Sequence, residues 1–426
     1  MLQISFIRKN KKKILLGLKK RNFQRLYLID EILILDQEKK KIQSFLNKIL
    51  EQENCITKKI GKYFSEQNGY NDNVDNFKQQ CYKLKNEKKK ISIQLKKIFL
   101  QLQEKLNQVP NIPDEKVNKF SVENDIIFHE KNIYSYVKKN ENILTHWELS
   151  KKFCLFDLKL GSEICGAGFP VYINQCAKLQ RSLIQYFLDQ NIQASYQEYN
   201  LPYVINEQSG FCTGQIPDKE NQMYLIEKDN FYLIPTGEIP LMNCYRNKTL
   251  LESHLPIKAT TYTSCFRREA GSYGSKVRGL NRLHQFDKVE IIQITTSELS
   301  SFSLEEMVFH VKKMLHSLEL PFRILRLNAT DLSPTSSITY DFEVYSIAQK
   351  KWMEVSSVSN CTDFQSNRLK LKYKNYKGKI KYCHTLNGSA LAVPRILSTL
   401  LENNQSNNKI LIPKVLIPYT GFDYIK

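Results

Sequence analysis

The 426 residues predict an α+β protein: an N-terminal antiparallel α-helical coiled-coil hairpin, then a domain with a mainly antiparallel β-sheet flanked by helices. Three observations carry this. Apolar residues recur every seven positions through 28–106, short strand-like runs crowd 223–357, and the pattern changes at Val109-Pro110-Asn111-Ile112-Pro113. Proline there stops a helix and opens a linker. The expected domains are 1–110 and 111–426.

In the first long helix Leu35, Ile42, Ile49, Ile56 and Tyr63 recur every seven residues. Ile32, Leu46 and Ile60 fill a second seam, with Lys39 and Glu53 as lapses. In the second helix Phe77, Leu84, Ile91 and Ile98 keep the same period, flanked by Cys81, Leu95 and Leu102, with Lys88 as a lapse. Heptads sustained over this length are a coiled-coil signal. The polar stretch 66–73 is expected to turn the chain back on itself. A helix of about 39 residues extends roughly 58 Å. Its seam is narrow and its outer faces carry Lys40, Lys41, Lys89 and Lys90, so it reads as an arm. A dimerisation coiled coil fits the same pattern.

Beyond the linker, Asn174–Gln190 is an amphipathic helix. Strand-like runs follow at Met223–Ile226, Phe231–Ile234, Thr261–Phe266, Phe286–Thr295, Phe322–Leu327, Tyr340–Tyr345 and Trp352–Ser357. Short connections between several of them predict antiparallel pairing. Neither GxGxxG nor GxxxxGK[ST] occurs, so any nucleotide must be held without a dinucleotide fold or a P-loop.

The formal charge is +20. Residues 1–110 alone hold 25 Lys and Arg against 11 Asp and Glu, a difference of +14. That asymmetry points to a polyanion, nucleic acid first, although a chain rich in Lys, Asn and Ile acquires such charge by drift as well. No apolar run reaches the roughly 18–20 residues that span a bilayer; Ile410–Pro418 is broken by Pro and Lys. Met1 leads into no secretory pattern, so a cytoplasmic protein with no membrane partner is expected. Ten cysteines lack any CxxC or CxxH spacing and the seven histidines are scattered, so no zinc is expected and the thiols read as reduced.

Thr261–Glu290 is the richest segment. Alternation along Phe286–Thr295 puts Phe286, Lys288 and Glu290 on one face, so one hairpin offers an aromatic plate, a cation and a carboxylate. The first strand ends in Arg267-Arg268-Glu269. Thr236-Gly237-Glu238 follows another strand, and as strand residues Thr236 and Glu238 would share a face, with a carboxylate able to hold an ammonium group. Glu354-Val355-Ser356-Ser357 offers oxygen ligands suited to a hard divalent cation. Thr385-Leu386-Asn387-Gly388-Ser389 reads as a strand-to-helix turn whose helix presents Arg395. Taken singly, each cluster is equally a turn, a surface ion pair or a solvated strand edge. Together, beside a basic arm, they are not explained that way.

On these residues the chain resembles the bacterial-type seryl-tRNA synthetase family, a branch of the class II aminoacyl-tRNA synthetases, over essentially its whole length. Motif 1 of the class resembles the helix before Pro202. Motif 2 is matched by Phe266-Arg267-Arg268-Glu269 through Arg282-Leu283-His284-Gln285-Phe286, and motif 3 by Asn387 through Arg395. The runs TGEIPL, HQFDKVE, EVSSVSNCTDFQ and HTLNGS together are specific for the serine enzymes. The resemblance implies activation of L-serine with ATP, transfer to tRNA(Ser) gripped by the arm, a homodimer, and leaves tRNA(Sec) open as a second substrate.

It also implies roles. Thr236, Gly237 and Glu238 would contact serine, with Glu238 near its ammonium. Glu290 would accept from the serine hydroxyl, with Asn387 and Ser389 completing the pocket. Arg267 would bridge the substrate carboxylate and the α-phosphate, beside Arg268. Glu269 would read the adenine amino group, Phe286 would stack on the ring, and Arg395 would hold the γ-phosphate or stack opposite. Arg267 and Arg395 would be the catalytic pair. Glu354 and Ser357 would ligate Mg²⁺, with Val355 and Ser356 lining the ATP site. Two features depart from the simplest pattern. Pro394 stands where many relatives have Gly, which costs little in a first helical turn. Glu354 and Ser357 are three apart, so a regular strand would oppose them and a bulge is needed. The alternatives are a related ligase loading a small amino acid onto a carrier protein, which would lack the long hairpin, and a non-catalytic RNA-binding paralogue, which would have lost Arg267, Glu290 or Arg395.

Overall fold

The computed structural model describes residues 1–65, 72–117, 123–129, 143–218, 220–269, 278–406 and 408–426. Of the expected hairpin turn over 66–73, residues 66–71 lie outside the described residues, as does the loop 270–277 between the motif 2 strands; Asp72 and Asn73 already belong to the second long helix. The chain divides into two compact units, Met1–Pro110 and Asn111–Lys426.

In the first unit, α1 (Ile4–Lys9) and α2 (Lys11–Lys20) precede two long helices, α3 (Leu28–Ser65) and α4 (Asp72–Gln108). The heptad positions form the seam: Ile32, Ile49, Ile91, Ile98 and Leu102 are buried, while the lysines at 40, 41, 89 and 90 are exposed. Lys88 Nζ lies 2.8 Å from Glu53 and Lys105 Nζ lies 2.6 Å from Glu31, which fixes the two helices as antiparallel. Two of the heptad lapses, Glu53 and Lys88, are therefore partners of each other. The third, Lys39, lies 5.1 Å from the centre of the Phe99 ring. Each lapse keeps its charge beside the seam with a neighbour that receives it.

The second unit is built on an eight-stranded sheet. Its strands are β1 (Asp125–His129), β2 (Gln197–Glu198), β3 (Ile257–Phe266), β4 (Gln285–Thr295), β5 (Phe322–Arg326), β6 (Ile338–Ser346), β7 (Lys351–Asn360) and β8 (His384–Ala392). Their spatial order is β1-β5-β6-β7-β8-β4-β3-β2. Every pair is antiparallel except the edge pair β2–β3. One face is covered by α5 (Asn174–Gln193), α6 (Ser300–Ser317) and α7 (Val393–Asn403), whose Leu179, Leu183, Val311 and Leu397 pack with Val289 and Ile291 of β4. Alternation along β4 sends Lys288 and Glu290 to the opposite face. No helix among the described residues is long and apolar enough to cross a membrane.

One expectation is corrected here. Residues 385–389 are not a strand-to-helix turn but the interior of β8, and the helix begins at Val393, with Pro394 in its first turn. The reason is that β8 lies between β7 and β4, so its backbone bonds are met on both sides only if the strand continues. Leu386 and Ala390 are buried while Asn387 and Ser389 between them are half-exposed.

Candidate active site

Cross-strand register builds the floor of the site. Glu290 on β4 pairs directly with Ser389 on β8, and Asn387 lies two residues further along the same face. Above them sits the segment Thr236-Gly237-Glu238, and here the strand expectation fails. The strand Phe231–Leu233 ends before Thr236, and Glu238 opens a helix, Glu238–Asn243. Gly237 has already entered the helical region, at φ −65° and ψ −17°. Thr236 and Glu238 converge all the same, because the Glu238 backbone N–H donates to Thr236 Oγ1 at 3.2 Å. Glycine is required between them: a Cβ at Gly237 would lie 2.9 Å from Thr261 Cγ2 and 3.0 Å from Thr263 Oγ1, so the turn rests directly on β3.

Thr236 Oγ1 donates to Glu290 Oε2 at 3.0 Å. Glu238, 5% exposed, receives Gln365 Nε2 on one carboxylate oxygen at 2.6 Å and Gln215 Nε2 on the other at 3.4 Å. Gln365 is itself held by Thr385 Oγ1, at 2.8 Å, and donates to the Thr213 carbonyl at 3.0 Å. Burial, and then the neighbouring Glu290, push the Glu238 carboxyl up to about 7, against the pull of the two glutamines and Lys288. Two glutamines and a lysine in this pocket were given no role by the sequence reading. Gln365 stands inside the run EVSSVSNCTDFQ, and Lys288 shares the face of Glu290, so both carried a signal.

The residues expected to meet nucleotide lie where β3 ends and β4 begins. Arg267 is anchored by its backbone N–H to the His284 carbonyl (2.9 Å) and by Nε to the Pro235 carbonyl (3.2 Å), with its guanidinium 5.2 Å over the Phe286 ring. Glu269 takes Arg282 NH1 at 2.7 Å. Arg268 is exposed and turns aside, with its guanidinium 4.9 Å over Tyr224 and Nε 3.2 Å from the Met223 carbonyl. Arg395 NH1 donates to the Glu354 carbonyl at 2.6 Å and its Nε to the Asn281 carbonyl at 3.2 Å. Burial lowers the Arg395 guanidinium from its ordinary value; Glu354 opposes this, and Arg267 and Arg282 add to it. Arg282, paired with Glu269, adjoins Asn281, whose carbonyl receives Arg395, so the two motifs meet there.

Register also resolves the Glu354–Ser357 spacing. On β6–β7, Asp341 pairs with Ser357 and Phe342 with Ser356, but Glu343 pairs with Glu354. Val355 is the extra residue of a bulge, which returns Glu354 to the face of Ser357 and Asp341. Asp341 Oδ1 is closed to solvent and has no hydrogen-bond partner among the described residues. Burial and then Glu354 raise the Asp341 carboxyl to about 7, while Ser357 pulls it down. Val355 and Ser356 point the other way. Val355 is 1% exposed in the core, and Ser356, 2% exposed, donates to the Ser389 carbonyl at 2.5 Å. Only their backbones are left to line a nucleotide site.

A buried chain of hydrogen bonds, through residues that the sequence reading gave no role, leads to Arg395. Leu280 N–H donates to His146 Nε2 at 2.8 Å, so the ring proton is on Nδ1, which donates to Glu402 Oε1 at 2.6 Å. Gln349 joins Glu402 (2.9 Å) to Asn281 (2.9 Å), whose carbonyl receives Arg395. Gly279, at φ +69°, makes room: a Cβ there would lie 2.0 Å from His146 Nε2.

An antiparallel sheet with motif 2 on two adjacent strands and a motif 3 arginine on the following helix defines a class II aminoacyl-tRNA synthetase core. A family model for the tRNA synthetase class II core domain (G, H, P, S and T) matches residues 224–404, and one for the seryl-tRNA synthetase N-terminal domain matches 1–113. The Serine–tRNA ligase of Methylacidiphilum infernorum is 39% identical over 100% of both chains, and that of Salinibacter ruber is 37% identical over 99% of this chain and 98% of its own. Among solved structures, seryl-tRNA synthetase from Pyrococcus horikoshii complexed with ATP superposes with a TM-score of 0.88 at 28% identity, over 100% of this chain and 99% of the other. The chain belongs to the seryl-tRNA synthetase family.

Proposed function

We propose that the cleft activates L-serine with ATP through the residues gathered around Glu290 and Arg267, and that the helical pair α3–α4 presents tRNA(Ser). The reaction is ATP-dependent ligation of serine to tRNA, carried by full-length relatives and by the class II core. The N-terminal match to the seryl domain disfavours a carrier-protein ligase. The observation that supports the residue roles best is the Glu290–Ser389 cross-strand pair, with Thr236 bonded to Glu290 and to the Glu238 N–H, and Arg267 bonded to the carbonyl of the adjoining Pro235.

In the first step the serine carboxylate attacks the α-phosphorus. A C–O–P bond forms, the bridging P–O bond breaks, and pyrophosphate leaves with its electron pair. The attacking group is already ionised, so no protein base is called for, and catalysis reduces to alignment and charge compensation. Arg267 is suited to the substrate carboxylate and the α-phosphate, Arg395 to the γ-phosphate, Phe286 to stacking on adenine and Glu269 to its amino group. Arg268 belongs to the rim. Glu238 is suited to the substrate ammonium and Glu290 to the hydroxyl, beside Thr236, Asn387 and Ser389. In the second step a ribose hydroxyl of the terminal adenosine attacks the activated carbonyl and AMP leaves.

Mg²⁺ would be held by Glu354 and Ser357. Their shared face and the orphaned Asp341 Oδ1 make an all-oxygen donor set of the kind a hard cation takes. Once bound, it would compensate charge on the phosphate oxygens. The homodimer is proposed through α5, the motif 1 helix. A cytoplasmic location and tRNA(Sec) as a further substrate belong to the same reading. Serine-dependent exchange of pyrophosphate into ATP, together with serylation of total tRNA, tests it. The expected result is exchange with serine far more efficient than with any other amino acid; a preference for another amino acid, or no exchange, refutes it.

A further inference from the structure

Lys288 is the member of the hairpin face that the roles above leave unused. Its side chain is 8% exposed, and its ammonium lies 2.5 Å from Glu290 Oε2 and 2.9 Å from Thr236 Oγ1. Thr236 also donates to Oε2 of Glu290, so both contacts fall on one carboxylate oxygen. No described residue hydrogen-bonds the other, Oε1. Nearby lies Glu238, 5% exposed, so the pocket holds two carboxylates and one ammonium. With Glu238 ionised, its formal charge is one positive unit short of balance before any substrate arrives.

We propose that Lys288 is a positioning residue for amino-acid selection: it pins Glu290 through Oε2 so that Oε1 is presented to the substrate's side-chain hydroxyl. The remaining negative charge is then matched by the substrate's ammonium at Glu238. This rests on the serine reading above and deepens it. The physical basis is preorganisation. A buried carboxylate free to rotate, or stripped of its cation, is a poor and costly acceptor, whereas one fixed at a single oxygen offers the second at no reorganisation cost. An ordinary buried ion pair would serve the fold and would be indifferent to whether the substrate carries a hydroxyl.

That difference sets the experiment: pyrophosphate exchange by the full chain with serine and with alanine. Lys288→Met is expected to lower kcat/KM for serine about 10- to 100-fold, the worth of a charged hydrogen bond, while alanine changes by less than about threefold. The serine-over-alanine ratio narrows accordingly. Equal loss on both substrates, or an unchanged ratio, overturns the proposal. Because Lys288→Met leaves Glu290 buried without its cation, Glu290→Gln and the double variant Glu290→Gln/Lys288→Met complete a cycle in which both charges are removed together. With Glu290 already neutral, adding Lys288→Met is expected to alter the ratio less than about twofold. A further tenfold drop there overturns the role. Wild-type exchange with serine separates the two readings: its absence removes the serine pocket itself, whereas its presence with an unmoved ratio removes only the role of Lys288.

Discussion

The proposed serine site is expected to be sensitive to pH near neutrality through Glu238. Its carboxyl rises from 4.5 to about 7 through burial and the adjacent Glu290. A substrate ammonium pairs with the ionised form, so the competent fraction of free enzyme is about one half at pH 7 and roughly one tenth at pH 6. Free serine keeps its own charges over this range. In pyrophosphate exchange, kcat/KM for serine is therefore expected to fall about tenfold from pH 8 to pH 6, with a midpoint near 7. Gln365 donates to Glu238 at 2.6 Å and favours the ionised form, so Gln365→Leu should move the midpoint upward. The stability effect has the opposite direction. A carboxyl whose folded value is raised binds its proton more tightly when folded, so its stabilising contribution is full below about 4.5 and is lost as pH rises through about 7. The difference amounts to about 3 kcal/mol at alkaline pH. A pH-independent kcat/KM for serine between pH 6 and 8, or a midpoint lowered by Gln365→Leu, refutes the assignment of Glu238 to the ammonium.

Three further outcomes follow from the geometry. Arg267→Ala should lower serine-dependent exchange by roughly 10²–10³, the typical loss of one preorganised donor, and near-normal exchange would remove it from the α-phosphate. Deleting residues 28–106 should abolish serylation of tRNA while leaving exchange largely intact, because every residue proposed for adenylate formation lies beyond the linker; equal loss of both activities would count against α3–α4 as a separable reader. The double variant Glu354→Ala/Ser357→Ala removes both proposed oxygen ligands from the face that the bulge gives them. The Mg²⁺ concentration for half-maximal exchange should then rise at least tenfold, and an unchanged requirement would rule these two residues out as ligands.

Local periodicity made the helical pair and the hairpin strands legible. The seam of α3 and α4 needs only seven-residue repetition, and even its lapses fall into place once the helices run antiparallel, since Glu53 and Lys88 are partners. The face shared by Phe286, Lys288 and Glu290 needs only the two-residue period of an extended chain. Motif resemblance then supplied the roles that periodicity could not.

Where the sequence misled, the deciding contact was distant in the chain. Asn387-Gly388 looks like a turn, yet β8 runs straight through it because partners some 30 and 100 residues away, on β7 and β4, take up its backbone groups on both sides. Thr236 and Glu238 looked like alternate strand residues, but what brings them together is a helix start pressed onto β3, and the missing Cβ of Gly237 permits the approach. The bulge at Val355 is a mismatch between two ladders, and one strand read alone holds no record of it. Gln365 acts on Glu238 from 127 residues away. These are all matters of register and close approach, which is why the residues proposed to touch substrate were readable as types while those that aim them were not.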